Sequence, residues 1–184
     1  MVALYVILGL IVVALVMIAS TYNSFVQIRE SVKNAWSQID VQLKRRHDLI
    51  PNLVETAKGY MGHDRQTLEG VTKARQMAID ASSIKDRMAA ENMLTSTLRS
   101  LLAVAENYPN LKADNQMIML HEELTTTENK ISFARQFYND EANRLNVAVQ
   151  SFPANIVAGM FSFQKAEFFQ VEDAAEKQAP QVKF

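Results

Sequence analysis

The chain has 184 residues, 48% of them hydrophobic, and its 19 basic and 20 acidic side chains give a formal net charge of -1. This balance excludes a protein that wraps nucleic acid, for which a strong basic excess is expected. The absence of cysteine excludes disulfides, thiolate metal sites and a cysteine nucleophile. With only five glycines and four prolines, the sequence has too few turn residues for an all-β fold, and it predicts helices.

The first predicted element is an apolar segment at residues 2–19, which contains no charged residue, proline or amide. As a helix it would be about 27 Å long, close to the hydrocarbon thickness of a bilayer. Tyr5 and Tyr22 flank it as interfacial aromatic residues do. A cleavable signal peptide is the alternative, but the segment has neither a basic leader nor a small-x-small cleavage pattern. We therefore expect residues 1–21 to be an uncleaved anchor in the lipid bilayer.

Basic residues determine the expected orientation of this anchor. Arg29 and Lys33 follow the apolar segment, and no lysine or arginine precedes it. The positive-inside rule therefore places the N-terminus outside and the long C-terminal part in the cytoplasm.

A regular apolar pattern follows the anchor without an intervening turn signal. Its spacing of nearly 3.6 residues predicts a helix that continues from the anchor. The pattern keeps its phase across Pro51, which predicts a proline kink within one helix. Its members are Phe25, Ile28, Val32, Trp36, Ile39, Leu43, Ile50, Leu53, Ala57 and Met61.

Three further helices are predicted, each with its own N-cap. Asp64 is expected to cap a helix over residues 64–81, and Ser83 is expected to cap a helix that ends before the break at residues 107–110. The apolar face of the first of these helices is predicted to consist of Leu68, Val71, Ala74 and Ala78. Asp114 is expected to cap a long helix that ends before Pro153. Because short connections join long helices, we expect an all-α, antiparallel bundle over residues 22–169.

The end of the chain has a different composition. Residues 154–169 are apolar and aromatic, and they form either a last core helix or an exposed interface. Residues 170–184 are predicted to form an acidic tail.

The histidines do not form a metal motif. His121-Glu122 begins an HExxH pattern, but Thr125 occupies the position of its second histidine. His47 and His63 lack the Glu-x-x-His pairing of di-iron bundles. We therefore predict no metal, no cofactor and no catalytic residue.

A basic cluster, Lys44-Arg45-Arg46-His47, has two interpretations. It either contacts anionic lipid or forms a solvated helix face with Asp40 and Asp48 nearby. A straight helix would place Lys44 about 37 Å beyond the anchor, several Debye lengths away. The distance favours the solvated face.

Polar and aromatic residues near the apolar pattern, together with those after the long helix, form the predicted interaction or packing surface. These candidates are Trp36, Gln38, Arg45, Arg46, Asn52, Phe152, Pro153, Asn155, Phe161 and Phe163.

Several runs of sequence resemble the LemA family. The likeness is strongest in NAWSQIDVQLKRR at residues 34–46 and DLIPNLV at residues 48–54. It returns in FPANIVA at residues 152–158 and in PQVKF at residues 180–184.

This resemblance implies a bacterial inner-membrane protein with one span, its N-terminus outside and a helical bundle in the cytoplasm. No enzymatic activity, cofactor or catalytic residue is established for the family, so the resemblance assigns none to this sequence. Genes of the family often lie beside that of a membrane metalloprotease, which suggests other membrane proteins as partners.

Three functions are compatible with these features. The preferred one is a non-enzymatic scaffold or adaptor that works through protein–protein contacts and forms a homo-oligomer. A membrane-shaping oligomeric shell is the alternative. An enzyme whose site combines residues such as His47, His63 and Glu122 is the third.

Overall fold

The computed structural model describes residues 1–62 and 64–169, so His63 and the predicted acidic tail lie outside the described residues. The described part is helical and contains no strand, which confirms the predicted all-α fold. Its helices are α1 (Val2–Lys58), α2 (Arg65–Asp80), α3 (Ile84–Ala105), α4 (Pro109–Lys112), α5 (Asn115–Gln150) and α6 (Ala154–Met160).

Helix α1 runs from the apolar segment through Pro51 without a break, as predicted. Proline has no amide hydrogen, so the carbonyl of His47, four residues earlier, lacks its helical donor. Arg75 of α2 supplies another donor, because its Nε donates to the His47 carbonyl oxygen at 2.7 Å. The helix continues past Pro51 with this carbonyl paired to a second helix.

The apolar part of α1 is exposed in the described chain, except for the partly buried Ile18. Among the described residues, α1 is the one helix long and apolar enough to cross a membrane. Its most apolar 18-residue window has a mean hydropathy of 3.1, and none of that window is buried. By length and composition, this part of α1 fits a membrane span.

The contacts divide the described chain into two units, and both α1 and α5 contribute to each unit. Unit 1 contains Met1–Val41 and Ile131–Phe168. Unit 2 contains Gln42–Lys130 and, among the later described residues, Phe169. The predicted boundary between anchor and bundle at residue 21 stays a prediction.

The core of unit 2 is built from the end of α1, from α2 to α4, and from the start of α5. The predicted apolar face of α2 is confirmed, since all four of its residues are buried. The buried side chains that α2, α3 and α5 contribute include Leu68, Val71, Ala74, Ala78, Leu94, Leu98, Leu101, Met117, Leu120 and Leu124.

The predicted caps of α3 and α5 are confirmed. Ser83 Oγ accepts from the amide of Asp86 at 3.0 Å, and Asp114 Oδ1 accepts from the amide of Met117 at 3.0 Å. Asp64 precedes α2, but its side chain makes no capping bond. Its carboxylate instead accepts a hydrogen bond from the hydroxyl of Tyr108, which ties the start of α2 to the residue before α4.

In unit 1, α5 runs antiparallel to α1. Trp36 packs edge-to-face on Tyr138, with ring centroids 5.4 Å apart. Seven residues further along α5, Leu145 packs in one cluster with Phe25 and Ile28. Residue numbers therefore increase along α5 in the direction in which the numbers of the contacting residues decrease along α1.

A Schellman motif ends α6 and directs the chain back to the core of unit 1. Ser162 has a φ of 56°, in the left-handed region, and its amide lies 3.5 Å from the Gly159 carbonyl oxygen. The amide of Phe163 donates to the Ala158 carbonyl oxygen at 3.0 Å. The Phe163 ring then stacks on Phe25, with centroids 4.8 Å apart.

Side chains of α5 hold the extended segment after α6. Asn146 Nδ2 donates to the Ala166 carbonyl oxygen at 3.0 Å, and the Ala166 amide donates to Asn146 Oδ1 at 2.8 Å. Tyr138 donates through its hydroxyl to the Glu167 carbonyl oxygen at 2.9 Å. These bonds pair backbone groups that no helix or sheet satisfies.

If Arg75 replaces the amide that Pro51 lacks, the two residues are energetically coupled. We expect Arg75→Ala to lower the free energy of unfolding by about 1–2 kcal/mol, because the His47 carbonyl loses its donor. In a Pro51→Ala background the loss should be smaller, since the amide of residue 51 then donates to that carbonyl. Denaturation of the four proteins in mild detergent measures the coupling.

Arg65→Ala is the matched control, because Arg65 lies on the same helix with a side chain 85% exposed. It should change the free energy of unfolding by less than about 0.5 kcal/mol. An equal loss from Arg75→Ala in both backgrounds would contradict the role assigned to Arg75.

Candidate functional site

Arg46 occupies a core position of α1 in unit 2. It lies three residues after Leu43 and four before Ile50, in phase with the apolar pattern, and it is 0% exposed. Burying an unpaired guanidinium is very costly, so its position requires acidic partners from neighbouring helices.

Two other helices supply these partners. Glu91 of α3, also 0% exposed, forms a salt bridge with Arg46. Glu128 of α5 lies with its Oε2 2.6 Å from Arg46 Nη1, and Thr95 Oγ1 lies 2.8 Å from the same nitrogen. The guanidinium therefore joins α1, α3 and α5 within unit 2.

His47 extends the network on the other side of Glu91. Its Nε2 lies 2.8 Å from Glu91 Oε1, and its side chain is 13% exposed. The backbone carbonyl of the same residue accepts the bond from Arg75. Residues 46 and 47 thus connect α1 to three other helices.

The charges of the network determine the protonation of Glu91. Burial by itself raises the pKa of this carboxyl, but the contact with His47 and the positive charge of Arg46 outweigh that effect. The net pKa of Glu91 lies below its usual value of 4.5, so the group is ionised at neutral pH. The ionised carboxylate has no proton to donate, and an arginine side chain does not give up its own in proteins. This geometry is that of a structural ion network.

The solvated-face interpretation of the basic cluster is wrong for Arg46, which is fully buried. A charged residue is normally exposed, but the apolar pattern has no member between Leu43 and Ile50, and residue 46 occupies the missing position. This missing position was the feature of the sequence that indicated burial of Arg46. The neighbouring Arg45 is 47% exposed and pairs with Glu123 of α5.

The other predicted surface residues of α1 differ in exposure. Trp36 is half-buried against Tyr138, as described above. Gln38 and Asn52 are exposed. Among the amide side chains, sequence reasoning missed the buried Asn146, which no local pattern distinguishes from other asparagines.

The predicted residues after α5 lie in unit 1 and are divided between surface and core. Phe152 is 82% exposed, Asn155 is exposed and Pro153 is half-buried. Phe161 is 48% exposed and contacts Tyr22, with ring centroids 4.7 Å apart.

Phe163 is the inward member of this set. It is half-buried between Phe25 and the Arg29 guanidinium, whose carbon lies 5.5 Å from the ring centroid. The structure therefore brings Phe161 and Phe163 together around the first turns of α1 that follow the apolar segment.

A surface cavity of about 410 Å³ lies in unit 2 and is lined by residues of α3, α4 and α5, including His121 and Glu122. Within residues 1–62 and 64–169, no group of three histidine, aspartate or glutamate side chains is arranged to hold a metal ion. The proposed enzyme site included His63, which lies outside the described residues.

These features define the class of this chain: it is an all-α protein with a helix long and apolar enough to cross a membrane, and a buried arginine joins helices of unit 2. The model of the LemA family matches residues 35–184. The chain belongs to the LemA family, and the resemblance seen in the sequence is confirmed.

Three individual relatives are each 25% identical to this chain or less. The chain is 25% identical to Magnetosome protein MamQ 1 of Paramagnetospirillum magneticum over 181 residues, covering 84% of this chain and 66% of the relative. It is 22% identical to Magnetosome protein MamQ of Magnetospirillum gryphiswaldense, with the same coverage. It is 24% identical to Protein LemA of Metamycoplasma hominis over 82% of this chain and 69% of that protein. The chain thus spans slightly less than two thirds of the MamQ relatives.

Removal of Arg46 should strongly destabilise unit 2. We expect Arg46→Met to lower the free energy of unfolding by about 3–5 kcal/mol, because it leaves Glu91 buried and charged without its main partner. A second change, Glu91→Leu, should recover part of the loss because no uncompensated buried charge then remains. Denaturant titration in mild detergent measures both effects.

Arg45→Met is the control, since it removes the neighbouring but half-exposed ion pair with Glu123. Its cost should stay below about 1 kcal/mol. Similar losses at positions 45 and 46 would refute the special role of the buried pair.

The lowered pKa of Glu91 predicts acid sensitivity. A carboxyl with a lower pKa in the folded state stabilises the protein above its unfolded pKa and loses this contribution as pH falls through the folded pKa. Stability should therefore decline as the pH drops below the usual glutamate value of 4.5. Glu91→Gln should be less stable at neutral pH and should show a shallower decline in acid. An unchanged pH profile in Glu91→Gln would exclude this residue as a source of the sensitivity.

Proposed function

We propose that this chain is a membrane-anchored helical scaffold or adaptor that acts through protein–protein contacts, including self-association, at the bacterial membrane. In this proposal it catalyses no reaction, and its partners are copies of itself and other membrane proteins.

The apolar part of α1 supports the anchor. Water would have to hydrate a helical surface of apolar side chains, none of which is fully buried by the described chain. A hydrocarbon bilayer removes that cost, and the length of the segment suits one crossing.

The buried network supports a non-enzymatic role. Its histidine, arginine and glutamates are residue types that are common in catalytic sites. In the structure, Arg46 and Glu91 form a buried ion pair, and the lowered pKa of Glu91 keeps its carboxyl ionised. They position helices and present no open reacting group.

Exposed aromatic side chains on α5 carry the proposal of protein contacts. Phe133 is 72% exposed and Phe137, one turn later, is 43% exposed. Aromatic residues are enriched in protein interfaces, because each buries a large apolar area at a low entropic cost. Exposed phenylalanines on successive turns are therefore the best candidates for a contact with a second protein.

The test is the mass of full-length protein in mild detergent, measured by size exclusion with light scattering. We expect a defined oligomer, and we expect Phe133→Ser/Phe137→Ser to shift it to smaller species because the contact loses its aromatic anchors. Circular dichroism checks that the helices remain.

Met77→Ser/Met93→Ser is the matched control, since these methionines are 44% and 48% exposed on α2 and α3. It should leave the mass unchanged. A monomeric wild type would reject self-association, and crosslinking in cells would then have to recover a different protein at Phe133 for the adaptor role to stand.

A further inference from the structure

The turn between α5 and α6, together with the outer face of α6, exposes a group of bulky apolar side chains, which we name the α6 tip. Its four members are Phe152, Ile156, Met160 and Phe161, which are 82%, 56%, 62% and 48% exposed. The opposite side of α6 is buried in unit 1 through Val157 and Ala158. The buried Val157 and Ala158 therefore hold α6 against unit 1, and Ile156 and Met160 remain exposed on its outer face.

The antiparallel arrangement within unit 1 determines the level of this tip along α1. Leu145 packs with Phe25 and Ile28, and α5 then continues toward the apolar segment. Seven further residues advance the chain by about 10 Å, so Phe152 reaches the level at which the apolar segment ends.

Direct contacts place α6 at the same level. Ile18, inside the apolar segment, packs against the cluster that includes Val157 and Ala158. Tyr22, three residues beyond that segment, contacts the ring of Phe161 at 4.7 Å between centroids. The tip thus lies beside the point where α1 would leave the hydrocarbon.

We propose that the α6 tip is a second membrane contact, whose apolar side chains enter the headgroup and upper acyl region of the bilayer beside α1. The partner is the lipid surface, because the tip is continuous with the span and matches the apolar and aromatic groups that bind this region. Two contacts would restrain the tilt of unit 1 against the membrane. The inference rests on the anchoring in the proposed function.

Single-cysteine labelling of the chain tests the inference, since its 184 residues contain no cysteine. Phe152→Cys and Ile156→Cys would each carry an environment-sensitive NBD fluorophore in phosphatidylcholine–phosphatidylglycerol vesicles. We expect lipids with a nitroxide near the headgroup to remove about half of the fluorescence or more, because interfacial groups lie about 5–10 Å into that region. Aqueous iodide should quench these labels weakly.

Phe133→Cys is the matched control, because Phe133 is an exposed phenylalanine on α5 in the same unit as the α6 tip. Tyr138 contacts Trp36, which already lies well beyond the apolar segment on α1. Phe133 precedes Tyr138 by five residues and, because the helices are antiparallel, lies still further away, roughly 30 Å from that segment. Its label should escape the nitroxide lipid. Leu10→Cys, inside the apolar segment, reports anchoring independently.

The outcomes separate the two proposals. Quenching at position 10 without quenching at 152 and 156 would overturn the second contact and leave the anchor intact. Labels at 152 and 156 that are protected from both lipid nitroxide and iodide would instead assign the tip to a protein interface. Loss of quenching at position 10 would reject the anchoring itself. Circular dichroism of each labelled protein confirms that the helices are retained.

Discussion

The arrangement of unit 2 depends on one buried cation. Arg46 lies inside the core, where an unpaired guanidinium would cost more than a small bundle can offset. Glu91 and Glu128 must therefore approach it from α3 and α5. One turn later, Pro51 frees the His47 carbonyl, and Arg75 of α2 pairs with it. The buried charge of Arg46 and the carbonyl freed by Pro51 thus require α2, α3 and α5 to lie at defined positions beside α1. A purely apolar contact would tolerate sliding, whereas these polar contacts specify the register.

This arrangement also changes how the polar residues are interpreted functionally. An arginine, a histidine and two glutamates close together usually indicate a reactive site, because perturbed protonation accompanies catalysis. Structural ion networks perturb protonation in the same way. Here the shift lowers the pKa of Glu91 and stabilises the charged form that pairs with Arg46. The lowered pKa of Glu91 therefore reflects an ion pair that holds helices together. The functional contacts are more consistent with exposed surfaces.

Most of the helical architecture was predictable because it depends on local patterns. Apolar spacing gave the buried face of α2, and Ser83 and Asp114 were correctly assigned as caps. The uninterrupted phase across Pro51 predicted a continuous α1. Contacts that join distant residues were missed, since Arg46 pairs with residues 45 and 82 positions away and Asp64 with a tyrosine 44 positions away. A single sequence gives no information on such pairings.

The segment after Pro153 shows why a core helix and an exposed apolar surface were not exclusive alternatives. Helix α6 contains one polar residue, Asn155, and is otherwise apolar or glycine. A helix that is apolar all round needs an apolar environment on every side. The bundle covers one side through Val157 and Ala158, while Ile156 and Met160 remain outside. Composition alone could only report the excess of apolar surface. In the fold, one part of that apolar surface is buried in the core. The other part lies beside the exposed part of α1, where a bilayer would complete its burial.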